Sequence, residues 1–553
     1  MLQDVDSLDP FLGISVPAVQ LFRLTYDYLT DYSPVDNRPV PGLARSWTTS
    51  ADGRTWTFRI RDGVRWSDGQ PLTAEDLAFT YRTIMRHPTM PNAAAVRTFT
   101  SVTATGPDVL VIRTAVPTPT MLALDIPIVP AHVWQGKDPS AEPGDTAALV
   151  GSGPFRLVEA HASRYYRLER NPAYWRGAPK TEQVVYQYFS DSDSAVQALR
   201  KGEVDVAANL TPAQFDALAG DRRVGRNEAR GTRFTELAFN PGAARADGTP
   251  VGDGHPALRD VRVRAAIEHA IDRDALVARV LGGHGDAGGG YLPATFAPWG
   301  WQPGPGVRRR FDPALANRLL DQAGYRRGPD GVRVMPGNGR KLAFRLFAPS
   351  ERAHYQQSAT RIAAWLARVG ITVRVQTMSG NQISARTLAG RYDMFLGGWV
   401  LDPDPDFLLS VQTCGTRPDA AGNGTTDSFE CDPTYDRMYG RQARDVDRVE
   451  RVGLVQRMQR RLYADADQVI LYYPAVLEAY RSDLFTGFVR RPTGTGSIAG
   501  PWSYPSVAPV AQPTPGRRGP GAGLAWGVAA GTLLCAAVAA AVWRRRATRG
   551  LRE

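Results

Sequence analysis

An α/β fold divided into at least two packed bodies is what this sequence predicts, on three observations. The chain has 553 residues, more than a single hydrophobic core usually serves. Hydrophobic residues make up 43% of it, with 12 Trp and 20 Tyr, enough apolar surface for a sizeable core and unlike a disordered chain. Helical and strand patterns alternate along most of its length, as they do in α/β architectures.

Residues 42–82 read as short strands punctuated by Asp-Gly turns at Asp52-Gly53, Asp62-Gly63 and Asp68-Gly69. Thr55-Trp-Thr-Phe-Arg-Ile-Arg61 alternates with period two, which sets Trp56, Phe58 and Ile60 on one face. At Thr73-Ala-Glu-Asp76 the period changes. Thr73 can cap a helix, Asp76 completes a capping-box variant, and Leu77, Tyr81 and Ile84 follow at helical spacing. Further on, the spacing predicts helix over 192–200, strand over 204–207, helix over 212–218 and strand over 235–240. Residues 260–282 form one strong helical stretch with Val263, Ile267, Ala270, Ile271 and Leu276 inward. After a Gly/Pro-rich passage, helices are predicted over 313–323 and 355–369, and strands over 342–347, 372–376 and 392–399. The Pro/Gly-rich stretch 501–521 ends in a linker, 509–521.

The formal charge is +11, but Arg517, Arg518, Arg544, Arg545, Arg546, Arg549 and Arg552 concentrate much of it near the end of the chain. Elsewhere basic residues are scattered among acids, with no Lys/Arg stripe interleaved with aromatics, which speaks against nucleic acid as a partner. Residues 522–543 carry no charge and would make about 33 Å of helix, long enough to cross a bilayer. An Ala-rich buried helix is the competing reading. The position, Trp526 and Trp543 near the two ends, and the run Arg544 to Arg546 favour a transmembrane helix with a basic cytoplasmic tail, 544–553, and the body outside the cell. Such an orientation needs an N-terminal export signal, whereas Met1-Leu-Gln-Asp-Val-Asp6 opens polar and acidic, so the start is expected to be truncated or misassigned. Of the three cysteines, Cys535 falls in the apolar span, while Cys414 and Cys431 share a Gly/Asp/Thr-rich loop with no His or Cys flanking them. Outside the cell that pair is expected to form a disulfide rather than a metal site, stabilising the fold by about 3 kcal/mol on the chain-entropy account.

Several blocks occur in a fixed order: Leu8-Asp9-Pro10, Gly42-Leu-Ala-Arg-Ser-Trp47, the run from Asp52 to Gly69 (DGRTWTFRIRDGVRWSDG), and Leu72-Thr-Ala-Glu-Asp76. They continue with Gly151-Ser-Gly-Pro-Phe155, Asn171-Pro-Ala-Tyr-Trp175, Gly202-Glu-Val-Asp205, Val261-Arg-Val-Arg-Ala-Ala-Ile267 with Ile271-Asp-Arg273, and Ala323-Gly-Tyr325. In this order they resemble family 5 of the extracytoplasmic solute-binding proteins, the dipeptide, oligopeptide and nickel group of ABC importers, over much of the chain before the linker. The resemblance implies a two-lobed, periplasmic-binding-protein-like clamshell (type II, cluster C-like) with the ligand enclosed between lobes. Lobe I would span 1–240, including a β-rich subdomain at about 45–155, with a return at 475–508; lobe II would span 241–474. Hinge closure over the ligand is the expected motion. The resemblance further implies no catalysis and no cofactor, a short peptide as solute, and a permease with separate ATPases as partners. A nickel chelate or an oligosaccharide as solute, and a membrane-anchored ligand sensor, are the alternatives.

The stretch GGWVLDPDPDF, residues 397–407, sets three acids on alternate positions after an apolar run. A calcium loop fails, because Phe407 stands where Gly must turn the chain and Thr413 where a bidentate Glu belongs. A two-carboxylate hydrolase finds no support in a chain without a G-x-S-x-G elbow, an H-E-x-x-H motif or a Walker loop. Asp404 and Asp406 read as a solvated turn. Asp402 differs: peptide-binding relatives carry Gly-Trp followed after two residues by an Asp that pairs with the ligand's α-ammonium, and Gly398-Trp399-Val400-Leu401-Asp402 matches that spacing. The resemblance thus implies that Asp402 receives a cation while Trp399 walls the pocket; the competing reading has Asp402 cap a helical turn at 407–411. Arg352 stands roughly where dipeptide binders place an Arg for the ligand carboxylate, a role its planar fork suits, although it also reads as a surface residue beside Glu351. Leu396 replaces the basic residue of some oligopeptide binders, which leaves peptide length open. No His follows His354, so imidazole ligation of nickel from this part of the chain is excluded, whereas a chelate held by Arg and aromatics is not.

Overall fold

A computed structural model describes residues 1–139, 149–231 and 233–511. The predicted span 522–543, the basic tail and most of the linker lie outside the described residues, among which no helix is long and apolar enough to cross a membrane. Residues Met1–Ala508 form one compact unit.

Trp56, Phe58 and Ile60 share a buried face, at 5%, 0% and 0% exposure. Their strand, Thr55–Ile60, pairs antiparallel with Ala44–Thr49 and Val109–Thr114, and Phe99–Ala104 completes a four-stranded sheet. The helix Ala74–Arg86 carries the predicted capping box: Glu75 N–H donates to Thr73 Oγ1 and Thr73 N–H donates to Asp76 Oδ2, satisfying N–H groups that the helix start leaves open. Leu77, Tyr81 and Ile84 face inward. Together with the antiparallel sheet Phe155–His161, Tyr165–Arg170 and Gln183–Gln187, these elements bury a core running from Phe11 to Leu168.

A second core, from Leu237 to Tyr472, is built on a six-stranded mixed sheet. Its order is Gly285–Ala287, Gln468–Pro474, Thr235–Phe239, Met394–Gly397, Ala343–Pro349, Thr372–Met378. The last three run parallel and the rest antiparallel. Alternation along Thr235–Phe239 sends Leu237 and Phe239 into this core and Ala238, with Glu236 in phase, to the opposite face, where Phe347, Tyr392, Phe395 and Phe429 pack. The stretch 260–282 departs from expectation, being two helices, Val261–Ala270 and Arg273–Val280. Ile271 is extended, and Asp272 Oδ1 accepts the Ala275 N–H. A side chain able to cap the next helix competes with continuing the previous one.

Two chain segments run side by side between the second core and a smaller apolar cluster formed by Leu199, Phe215, Leu477 and Ala479. Val224–Ala229 continues to Thr235–Phe239, and Gln468–Pro474 continues to Val476–Arg481. Each pairs antiparallel with the other on either side of the crossing, Val224–Ala229 with Val476–Arg481 and Thr235–Phe239 with Gln468–Pro474.

Candidate functional site

The strand Met394–Gly397 ends beside the first crossing, and the chain can pass only because residue 398 is glycine. A Cβ there would lie 2.0 Å from the Phe234 carbonyl oxygen. That approach lets Phe234 N–H donate to the Trp399 carbonyl at 3.1 Å and pairs Arg233 with Val400. Trp399 is then held from both sides, its Nε1–H donating to Asp427 Oδ2 at 2.7 Å and the Phe407 ring packing edge-on at 5.5 Å. Val400 and Phe407 are 57% and 47% exposed, an apolar surface left open next to the Trp.

Behind Trp399 lies an acid pair that sequence reasoning misses. Glu236 is fully buried, and neither of its carboxyl oxygens has a hydrogen-bond partner among the described residues. Burial and the neighbouring Asp427 hold it well above the carboxylate range, and burial raises Asp427 despite the Trp399 N–H. The sequence gives one local signal, an acid inside the apolar run Thr235-Glu-Leu-Ala-Phe239.

Asp402 has no hydrogen bond or ion pair among the described residues, and its side chain is open to solvent. Surrounding protein, together with Asp125 and then Asp404, nevertheless pushes its carboxyl up to about 6. Asp125 comes from the N-terminal part of the chain, as does Tyr32, whose hydroxyl is raised by burial and by Asp125, with smaller contributions from Asp404 and Asp402. The site thus draws on both sides of the crossings. The capping alternative for Asp402 fails, because the following helix is Asp406–Ser410, begins at Pro405 and has no side-chain cap.

Asp404 and Asp406 are not the solvated turn the sequence suggests. Asp404 takes a two-pronged ion pair from the buried Arg451, at 2.5 and 2.6 Å, and Asp406 accepts from Gln442 Nε2 at 2.7 Å. Asp125 is paired with Arg23. Of the three acids, Asp402 is the one with no side-chain partner among the described residues.

Arg352 stands at the start of the helix Ala353–Arg368 and does not cap it with its side chain. It makes no ion pair with Glu351, which instead accepts the Gly380 N–H at 2.7 Å. Next to it is a second arginine the sequence does not flag, Arg233, whose Nε is buried without a partner among the described residues. Burial, then Arg352, lowers the Arg233 guanidinium below its ordinary value. His354, its ring 4.3 Å from that of Tyr355 and tilted to it by 36°, is pushed down to about 4 by burial and by both arginines, and is neutral at physiological pH.

The predicted disulfide forms between Cys414 and Cys431 and closes the loop that carries Asp427. Cys535 lies outside the described residues. Among the described residues no group of three or more His, Cys, Asp or Glu side chains is arranged to hold a metal ion.

A family model described as bacterial extracellular solute-binding proteins, family 5 Middle, matches residues 38–418. Protein XP55 of Streptomyces lividans is 31% identical over 506 residues, which cover 90% of this chain and 87% of that one. The dipeptide-binding protein of Escherichia coli (strain K12) is 24% identical over 499 residues, covering 85% and 87%. The crystal structure of NikA from Brucella suis in complex with Fe(III)-EDTA superposes with a TM-score of 0.77 at 24% identity, covering 92% of this chain and 99% of that one, a likeness of fold. With the family model spanning more than half of the sequence and a relative this similar along nearly all of it, the chain belongs to family 5 of the bacterial extracellular solute-binding proteins, which bind solutes and are not enzymes.

Proposed function

We propose that this protein is the substrate-binding component of an ABC importer, capturing short peptides outside the cell and delivering them to a permease served by separate ATPases. In this reading residues 1–240 with the return 475–508 act as one lobe and 241–474 as the other, hinged at the paired crossings. Residues 522–543 anchor it in the membrane behind the linker 509–521, with the tail 544–553 on the cytoplasmic side.

The observation that carries the reading is a set of unneutralised opposite charges reached along one short stretch of chain. Among the described residues Asp402 lacks a cation and Arg352 lacks an anion, and Arg233, the neighbour of Arg352, lies close to Asp402 along the chain. Arg233 bridges Val400, Asp402 is two residues further on, and two extended residues reach at most about 7 Å. A zwitterion of short-peptide size supplies both missing charges, and a cleft that closes over charges must have them paired. The exposed Val400 and Phe407 beside Trp399 offer its side chains an apolar surface. A polycarboxylate metal chelate, the kind of ligand present in the Brucella suis NikA structure, suits the arginines but leaves Asp402 unpaired.

The test is calorimetry on the purified full-length protein in detergent with a panel of dipeptides and tripeptides, their N-acetylated forms, nickel–histidine and Fe(III)-EDTA. Saturable binding of free peptides, lost on N-acetylation, is expected. Binding of a chelate but of no peptide overturns the proposal.

A further inference from the structure

We infer that Arg233 makes the basic end of the cleft a receptor for a doubly charged anionic group, so that among peptides the protein prefers those whose last residue is itself acidic. The inference rests on the peptide reading above and adds the chemical class of the peptide.

The geometry brings Arg233 and Arg352 to one place. Arg233 lies in the first crossing, two residues before Thr235, and Thr235 pairs across the sheet with Tyr472. The Tyr472 hydroxyl is 3.1 Å from Ser358 Oγ, and its ring is 6.4 Å from that of His354, both on the helix that Arg352 opens. The start of this 16-residue helix therefore sits over the crossing, with both arginines beside it. Helix starts carry about half a positive charge and free N–H groups, which favour anions.

Among the described residues no acid forms an ion pair with either arginine. Glu351 is exposed and turned to the Gly380 N–H. Glu236, the other nearby carboxyl, is held well above the ordinary carboxylate range by burial and by Asp427, which oppose its ionisation. His354 is neutral in the same field. Neither guanidinium has an ion pair or side-chain hydrogen bond among the described residues, and Arg233 Nε is shut away from water, so it cannot be satisfied by solvent at that atom. Two guanidinium charges side by side without a counter-ion are unfavourable, and the arrangement becomes favourable when a ligand with enough acceptor oxygens arrives. One carboxylate answers one guanidinium, two-pronged; the second guanidinium calls for a second anionic group.

Ala-Asp and Ala-Asn differ in this one charge and little in shape, so their affinity ratio isolates it. By calorimetry on the full-length protein, wild type is expected to bind Ala-Asp at least tenfold more tightly than Ala-Asn. Arg233→Gln, with an unchanged circular-dichroism spectrum to show that it is folded, should bring that ratio close to one, and Arg233→Lys should keep part of the preference. Equal affinities in wild type, or a ratio unchanged by Arg233→Gln, overturn the inference and leave the peptide reading standing. Binding of neither dipeptide, with binding of a chelate, overturns the peptide reading and this inference with it.

Discussion

Replacing Asp402 by Asn removes one charge and keeps the shape, and its effect on ligand affinity can be bounded from the surroundings. Removing one member of a desolvated, hydrogen-bonded charge pair costs about 2–5 kcal/mol or more. Two features place Asp402 in the lower part of that range. Its side chain is open to solvent before the ligand arrives, and Asp404 and Asp125, which remain, keep some attraction for a cation. Their own charges, however, are answered by Arg451 and Arg23, so they are weak substitutes. About 2–3 kcal/mol is therefore expected, a loss of about 30- to 150-fold in affinity, read by calorimetry with a free dipeptide. An N-acetylated dipeptide, which has no ammonium, should lose nothing further in the variant, closing a double-mutant cycle on this one pair. The pH profile supplies an independent check. The unliganded Asp402 carboxyl titrates at about 6, and an ammonium needs it ionised. Wild-type affinity should accordingly fall about tenfold between pH 7 and pH 5, while Asp402→Asn stays flat. A variant that binds the free dipeptide within threefold of wild type, with the same pH profile, would refute the pairing.

Two further outcomes concern what stands behind Trp399. Reducing the Cys414–Cys431 disulfide, or replacing both cysteines by Ser, should lower stability by about 3 kcal/mol, seen as a lower Tm. It should also blunt the ligand-induced change in Trp fluorescence, since Asp427 rides on the closed loop; an unchanged response would separate the loop from the site. Glu236→Gln should flatten the fall of stability with rising pH. The folded Glu236 holds its proton well above the ordinary carboxyl range, so the folded state keeps a proton that the unfolded chain releases, and stability declines as pH rises above the unfolded value. Denaturant titrations from pH 4 to 8 that show the same slope for both proteins would argue against a protonated Glu236.

Whatever depends on neighbours in sequence could be read before the fold was known. Thr73 and Asp76 are three residues apart and form the capping box; Trp56, Phe58 and Ile60 alternate and share a buried face. Gly398, Trp399 and Asp402 sit in one five-residue segment, so their grouping needed no tertiary information. Partners distant in sequence were not legible. Asp404 meets Arg451 47 positions away and Asp406 meets Gln442 36 positions away, so two acids that look like a solvated turn are structural ion-pair and hydrogen-bond anchors. The Glu236–Asp427 pair and the approach of Asp125 to Asp402 likewise arise only when the chain doubles back. At 260–282 local information was present but ambiguous, because the apolar spacing runs through Ile271 while Asp272 is also a good cap, and the cap prevailed.

The charge layout also connects ligand binding to the motion proposed for the cleft. Asp402 and Asp404 belong to one side of the crossings and Asp125 to the other, and each of the two neighbours raises the Asp402 carboxyl. Bringing the sides together without a ligand therefore concentrates negative charge, while Arg233 and Arg352 already set two positive charges close together, which lowers the Arg233 guanidinium. A solute with a cation at one end and an anion at the other reverses the sign of both interactions, and does so most strongly when the cleft is shut and water is excluded. Its affinity for the shut form thus exceeds its affinity for the open one, the differential that a population shift requires. A neutral solute of the same size gains no such difference, and neither does one charged at a single end to the same degree. Selectivity and closure are in this view consequences of the same unpaired side chains.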